Sequence, residues 1–188
     1  MADTTDFRNG FTIIWHSDLW QIIAFQHVKP GKGGAFVRTK LRNVRSGRVV
    51  DNTFRAGEKV EEARVERRSH QFLYEDDFGL HFMDMESYAQ FTMPPEQIEK
   101  REFLKEGGLL DILFHAETEA ALRAEIAKSV ELEVVRTDPG LKGDTATGAT
   151  KPATLESGAV VYVPLFVDEG NVIRVNTDTG DYITRVST

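Results

Sequence analysis

Cysteine is absent from all 188 residues, which removes disulfide frameworks, thiol catalysis and cysteine-bound zinc in one step. No apolar run approaches the length needed to cross a bilayer, so no membrane partner is expected. The opening Met1-Ala2-Asp3-Thr4-Thr5-Asp6 lacks the basic start and apolar centre of a secretory signal, and the expected location is the cytoplasm. The five histidines, at 16, 27, 70, 81 and 115, show no His-Glu-x-x-His or other metal spacing. Glu75-Asp76-Asp77 with Asp84 reads more simply as solvated turns than as a metal site. Gly31-Lys32-Gly33 is not a phosphate-cradling nucleotide loop, because Gly33 and not Ser or Thr follows the lysine. No nucleophile–base pair is evident either. The expectation is a protein that is not an enzyme and carries no cofactor or metal.

The most unusual absence is local. Between Gln26 and Val50 there is no Asp or Glu, while Lys29, Lys32, Arg38, Lys40, Arg42, Arg45 and Arg48 all fall there. The whole chain is acidic, with a net charge of −7. Residues 1–64 nevertheless hold 11 basic and 7 acidic side chains, a net of +4, which leaves −11 for residues 65–188. Solvated faces usually mix both signs, so an acid-free basic stretch points to contact with phosphates at short range, where screening leaves near charges in control.

The chain reads as short strands separated by turns, the pattern of small barrels. Phe11–Trp15 forms a strand after Asn9-Gly10, and His16-Ser17-Asp18 turns into residues 19–28. The Pro30-Gly31/Gly33-Gly34 turn then leads into a second arm from about Ala35 to Arg45, which makes a β-hairpin with Lys32 at its tip. Ser46-Gly47 turns the chain into Val49–Phe54, and Val60–Val65 follows Ala56-Gly57-Glu58-Lys59. Ser69–Glu75, Leu80–Asp84 and Tyr88–Thr92 form a second set, in which Phe72, Tyr74, Phe82 and Phe91 are expected to fill a barrel. Pro94–Glu99 suits a short helix start, and Leu109–His115 is an apolar strand. Glu117–Lys128 is rich in helix formers. Alone it reads as helix, yet inside a β module it can serve as an edge strand. Val130–Val135 alternates cleanly. Asp138 to Pro152 is expected to be a loop too small and polar to carry core, and strands at 159–163, 172–176 and 182–186 close the chain. The organisation is three β modules, 1–64, 65–127 and 128–188.

Several motifs together resemble the bacterial elongation factor P family. They are Lys29-Pro30-Gly31-Lys32-Gly33-Gly34-Ala35-Phe36, Lys40-Leu41-Arg42, Thr53-Phe54-Arg55-Ala56-Gly57-Glu58, Pro139-Gly140-Leu141-Lys142-Gly143-Asp144-Thr145, Lys151-Pro152-Ala153-Thr154-Leu155, Val163-Pro164-Leu165-Phe166 and Val175-Asn176-Thr177-Asp178-Thr179-Gly180-Asp181-Tyr182. The match runs over essentially the whole chain. It implies an all-β protein with an N-terminal SH3-like barrel and two OB-type barrels in an L-shaped, tRNA-like arrangement, and it favours strand over helix for 117–128. It also implies a monomeric translation factor that binds the ribosome beside the peptidyl-tRNA and relieves stalling at consecutive prolines. Lys32 is then the site at which a modifying enzyme lengthens the tip lysine. Lys29, Pro30, Gly31, Gly33, Gly34, Arg38, Lys40, Arg42 and Arg45 are expected to contact RNA, and Gly143, Asp144 and Thr145 to contact the small ribosomal subunit. A related paralogue, or a general single-stranded RNA binder built on OB barrels, is the alternative.

Overall fold

The structure, a computed structural model, describes residues 2–140 and 148–186. The predicted Gly143-Asp144-Thr145 contact lies outside the described residues. Strand is almost the only regular structure. The first sheet holds β1 (Ala2–Asp3), β2 (Thr12–Trp15), β3 (Asp18–Val28), β4 (Phe36–Asn43), β5 (Val49–Arg55) and β6 (Lys59–Glu62), ordered β1-β6-β2-β3-β4-β5. The second holds β7 (Val65–Asp76), β8 (Gly79–Asp84), β9 (Gln90–Met93), β10 (Leu109–His115) and β11 (Ala120–Glu125), ordered β11-β10-β7-β8-β9. The third holds β12 (Ser129–Thr137), β13 (Thr150–Leu155), β14 (Val160–Pro164), β15 (Val172–Asn176) and β16 (Tyr182–Arg185), ordered β14-β13-β12-β15-β16. By contact density the chain forms two compact units, residues 1–68 with 112–123 and residues 69–111 with 124–188.

In the first sheet the period-two alternation sends one side of each strand inward. Ile13, Ile22, Val37 and Leu41 are fully buried and pack with Phe7, Phe11 and Phe54. The Phe7 and Phe54 rings meet edge-on with centroids 5.4 Å apart, a favoured arrangement of aromatic quadrupoles. A smaller cluster in the same unit joins Leu19, Val44 and Ala63 to Leu122 of β11. That burial settles the ambiguous 117–128 stretch. Leu122 and Ala124 are buried on one face of β11, so tertiary packing overrides helix propensity there.

Two expectations need correction. The run 138–152 is not all loop, because β13 begins at Thr150 and pairs with β14 through Thr150↔Pro164 and Lys151↔Val163. Lys151 lies on the inner side of β13, 6% exposed. Its ammonium donates to the Asp138 carbonyl at 2.6 Å and sits 3.9 Å from an Asp168 carboxylate oxygen, which supplies the partners a buried charge requires. Of the aromatics assigned to the second barrel, Phe72 and Phe82 are buried and Phe91 is partly so, but Tyr74 is exposed and stacks on the His81 ring at 4.3 Å. The register shift between Phe72 and Tyr74 accounts for it: the extra residue reverses which side chains face inward. The Pro94–Glu99 helix start is one 3-10 turn, Pro95–Gln97, followed by another at Arg101–Phe103. Phe103 inserts among Leu132, Val134, Leu155 and Val175 of the third sheet's core.

Candidate nucleic-acid interface

The basic stretch folds into the β3–β4 hairpin, and β5 pairs along the other edge of β4. The register runs Gln26↔Arg38↔Thr53, Ala24↔Lys40↔Asp51 and Gln21↔Arg42↔Val49. Along β4 the burial pattern is strictly alternating, with Val37, Thr39, Leu41 and Asn43 buried and Arg38, Lys40 and Arg42 exposed. Sequence alternation alone therefore places these three cations in a row down the middle strand of the outer face. Positions two apart along a strand are separated by about 6.6 Å, close to the spacing of successive phosphates on one nucleic-acid strand. Among the described residues none of the three has an ion-pair partner within 4.0 Å. The Arg38 guanidinium lies 5.5 Å from the Phe36 ring centroid, within cation–π range.

Both ends of the hairpin are built to position this row. At the base, Asn43 is buried and satisfied: its side-chain amide donates to Asp18 at 2.6 Å, and its side-chain oxygen accepts from the Arg45 and Ser46 N–H groups at 3.0 and 2.8 Å. This Asx turn carries Arg45 away from the row, and its guanidinium lies 4.0 Å from Asp18, so Arg45 is partly neutralised. Within the sheet, the Thr39 hydroxyl donates to the Asn52 carbonyl at 3.0 Å and pins β5 to β4. A register shift between Ile22 and Ala24 marks a bulge in β3, which raises the local twist of the projecting arms.

At the far end, residues 29–34 are all exposed. Gly33 has a φ of +103°, which only glycine adopts without strain. Gly31 and Gly34 are different. Neither has a positive φ, and a Cβ built on either would meet nothing within 4 Å. The chain's own packing gives no reason for glycine at those two positions. Bare backbone on both sides of Lys32 keeps the tip narrow.

The structure thus brings Lys29, Pro30, Gly31, Lys32, Gly33, Gly34, Arg38, Lys40 and Arg42 onto one projecting hairpin and leaves Arg45 at its root. Sequence reasoning stopped at Val50 and missed what lies beyond. A shallow hollow of about 510 Å³ opens over the outer face, lined by Ala24, Phe25, Gln26, Arg38, Thr39, Lys40, Asp51, Asn52 and Thr53. Counting outward from Ser46-Gly47 as a two-residue turn sets Asp51 opposite Arg42, whereas the observed register sets it opposite Lys40.

The acidic turns of the second sheet do not converge. Asp76 and Asp84 flank opposite ends of β8, paired with Gly79 and His70 respectively. Asp76 lies 3.0 Å from His81 Nε2 and accepts the Phe78 N–H at 2.9 Å; the His81 contact is the main reason its carboxyl titrates below the usual range. Asp84 accepts the Ser87 N–H at 2.7 Å, the Ser87 hydroxyl at 2.9 Å and the Glu86 N–H at 3.0 Å, and this turn lowers its pKa. Both are turn caps.

Comparison with known proteins bears on the whole chain. Residues 3–60 match the elongation factor P KOW-like domain, 65–121 the elongation factor P OB domain, and 130–185 the elongation factor P C-terminal domain. Elongation factor P of Salinibacter ruber is 68% identical over 187 residues, covering 100% of this chain and 97% of that protein. The protein of the same name from Amoebophilus asiaticus is 52% identical over 188 residues, covering 100% and 99%. Among solved structures, translation initiation factor 5A from Methanococcus jannaschii shares the fold, with a TM-score of 0.52 and 22% identity over 67% of this chain and 90% of that one. A basic hairpin on a barrel, followed by two further β modules that match in the same order, makes this chain a member of the elongation factor P family of translation elongation factors.

Proposed function

We propose that the protein binds the ribosome beside the peptidyl-tRNA and speeds peptide-bond formation when consecutive prolines must be joined. The observation that carries this reading is the hairpin: three unpaired cations in a row behind a narrow tip with Lys32 at its end. Proline reacts slowly because its ring restricts the attacking nitrogen. Holding the tRNA end in a reactive placement lowers the entropic part of that barrier and calls for no acid, base or cofactor from the protein. Arg38, Lys40 and Arg42 hold the RNA backbone, Lys29 adds to them near the tip, and Lys32 reaches forward to phosphates and 2′-hydroxyls. On this reading the three modules are 1–64, 65–127 and 128–188. Lys32 is the candidate site for an enzyme-added extension, Gly143-Asp144-Thr145 is the small-subunit contact, and the protein works in the cytoplasm as a monomer. The net of −11 over residues 65–188 weighs against a general single-stranded RNA binder, which would need cations along the OB surfaces.

The test is reconstituted translation of a reporter with and without an internal run of prolines. Added protein should relieve the pause at the prolines and leave the control unchanged, and an unrelieved pause overturns the proposal. Lys32→Ala should lose most of the relief while its circular dichroism and unfolding midpoint stay those of the wild type. Intact mass of the protein from its native host reads directly whether Lys32 carries an added group.

A further inference from the structure

Asp51 is out of place for a surface that only grips phosphates. On the outer face of β3, β4 and β5, the register sets Arg38, Lys40 and Arg42 beside Ala24, Gln26, Val49, Thr53 and Arg55, and Asp51 is the single acid among them. It stands directly across from Lys40. Among the described residues the two form no ion pair within 4.0 Å, and the Asp51 carboxylate has no hydrogen-bond partner. A free carboxylate facing a polyanion weakens binding by like-charge repulsion, unless it accepts hydrogen bonds from the ligand. It also lines the 510 Å³ hollow, together with Arg38 and Lys40. The other residues lining the hollow, Ala24, Phe25, Gln26, Thr39, Asn52 and Thr53, are uncharged, so Asp51, Arg38 and Lys40 are its charged members.

We propose that this hollow seats one unpaired guanine nucleotide of the RNA partner, with Asp51 as the specificity-determining residue. The proposal deepens the RNA-binding reading given above and rests on it. A carboxylate can accept two parallel N–H bonds only from a ligand with two adjacent donors. Guanine alone among the four RNA bases carries such a pair, N1–H and N2–H, on its Watson–Crick edge. The neighbouring guanine O6 is an acceptor, and Lys40, facing Asp51 across the strand pair, has three N–H donors and can serve O6 as well as the RNA backbone. Arg38, one step nearer the tip, takes a phosphate of the same strand. The edge must be free of a pairing partner, which places the nucleotide in a loop or end and not in a duplex.

The experiment uses the full-length protein labelled for NMR and titrated separately with GMP, IMP, AMP, CMP and UMP. GMP should shift the amide signals of Lys40, Asp51 and Asn52, with an affinity on the order of tenfold above AMP, CMP and UMP, the discrimination of one good bidentate pair. IMP, which lacks the N2 amine, should fall between. Asp51→Asn should erase the preference for GMP, while AMP binding holds or tightens as the like-charge repulsion is removed; the residue is exposed, so the variant keeps its fold, which the spectrum itself reports. Equal shifts with all five nucleotides, or none at millimolar concentration, overturn the proposal. If selectivity is missing while the wild type still relieves proline pausing, only this inference falls. If GMP is selected but pausing is not relieved, the proposed function falls and the site stands.

Discussion

The glycines around Lys32 separate what the fold needs from what a receiving site needs. Consider Gly31→Ala, Gly33→Ala and Gly34→Ala made singly. At Gly33 the φ of +103° forces an L residue into a sparsely populated region at a cost of about 1–3 kcal/mol. For a chain of this size that cost lowers the unfolding temperature by about 2–4 °C per kcal/mol. The tip has little packing to resist relaxation, so the lower end applies. At Gly31 and Gly34 there is no positive φ and no atom within 4 Å of the added methyl. Their stability should stay within about 0.5 kcal/mol of the wild type, or rise slightly as the unfolded chain loses freedom. Activity should rank differently. On the proposed function the tip enters a confined site, which a methyl at either position would widen, so Gly31→Ala and Gly34→Ala should lose pause relief while remaining as stable as the wild type. The assay pairs denaturant unfolding with reconstituted translation of the proline reporter. Full activity in both stable variants would refute the argument that bare backbone at the Lys32 tip serves the partner.

The cation row predicts a salt signature: each of Arg38→Ala, Lys40→Ala and Arg42→Ala should lower the slope of log affinity against log salt by about one unit in ribosome or tRNA binding. In the second sheet, a Cβ at Gly79 would lie 2.5 Å from the Met93 carbonyl oxygen at a φ of +133°. Gly79→Ala should therefore destabilise by several times the cost of a surface change, about 2–4 kcal/mol, in a denaturant melt. Asp84 contributes a pH dependence whose sign is fixed by its depressed pKa, set first by the Ser87 hydrogen bonds. The carboxylate stabilises the fold above its ordinary pKa, and that contribution disappears as pH falls through the lower folded-state value. Asp84→Asn should flatten the stability–pH curve below about pH 4.

By itself the sequence determined the hairpin, its tip lysine and the face on which Arg38, Lys40 and Arg42 stand. Strand alternation has a period of two, and turn chemistry at Pro30-Gly31 and Ser46-Gly47 sets where the arms begin. It determined the family as well, because whole motifs survive as written. Tertiary structure alone decided features that depend on which strands lie side by side. Residues 120–125 are strand because Leu122 and Ala124 find a core to fill, against their own propensity. Lys151 is inside because the Asp138 carbonyl and Asp168 come within its reach across the fold. Phe103 belongs to the third sheet's core and Tyr74 to the surface, since packing and a single register shift move side chains between faces. Asp51 became visible only when β5 was laid against β4. A carboxylate just past the end of an acid-free run looks like a return to ordinary composition, and cross-strand pairing turns it into a neighbour of Lys40.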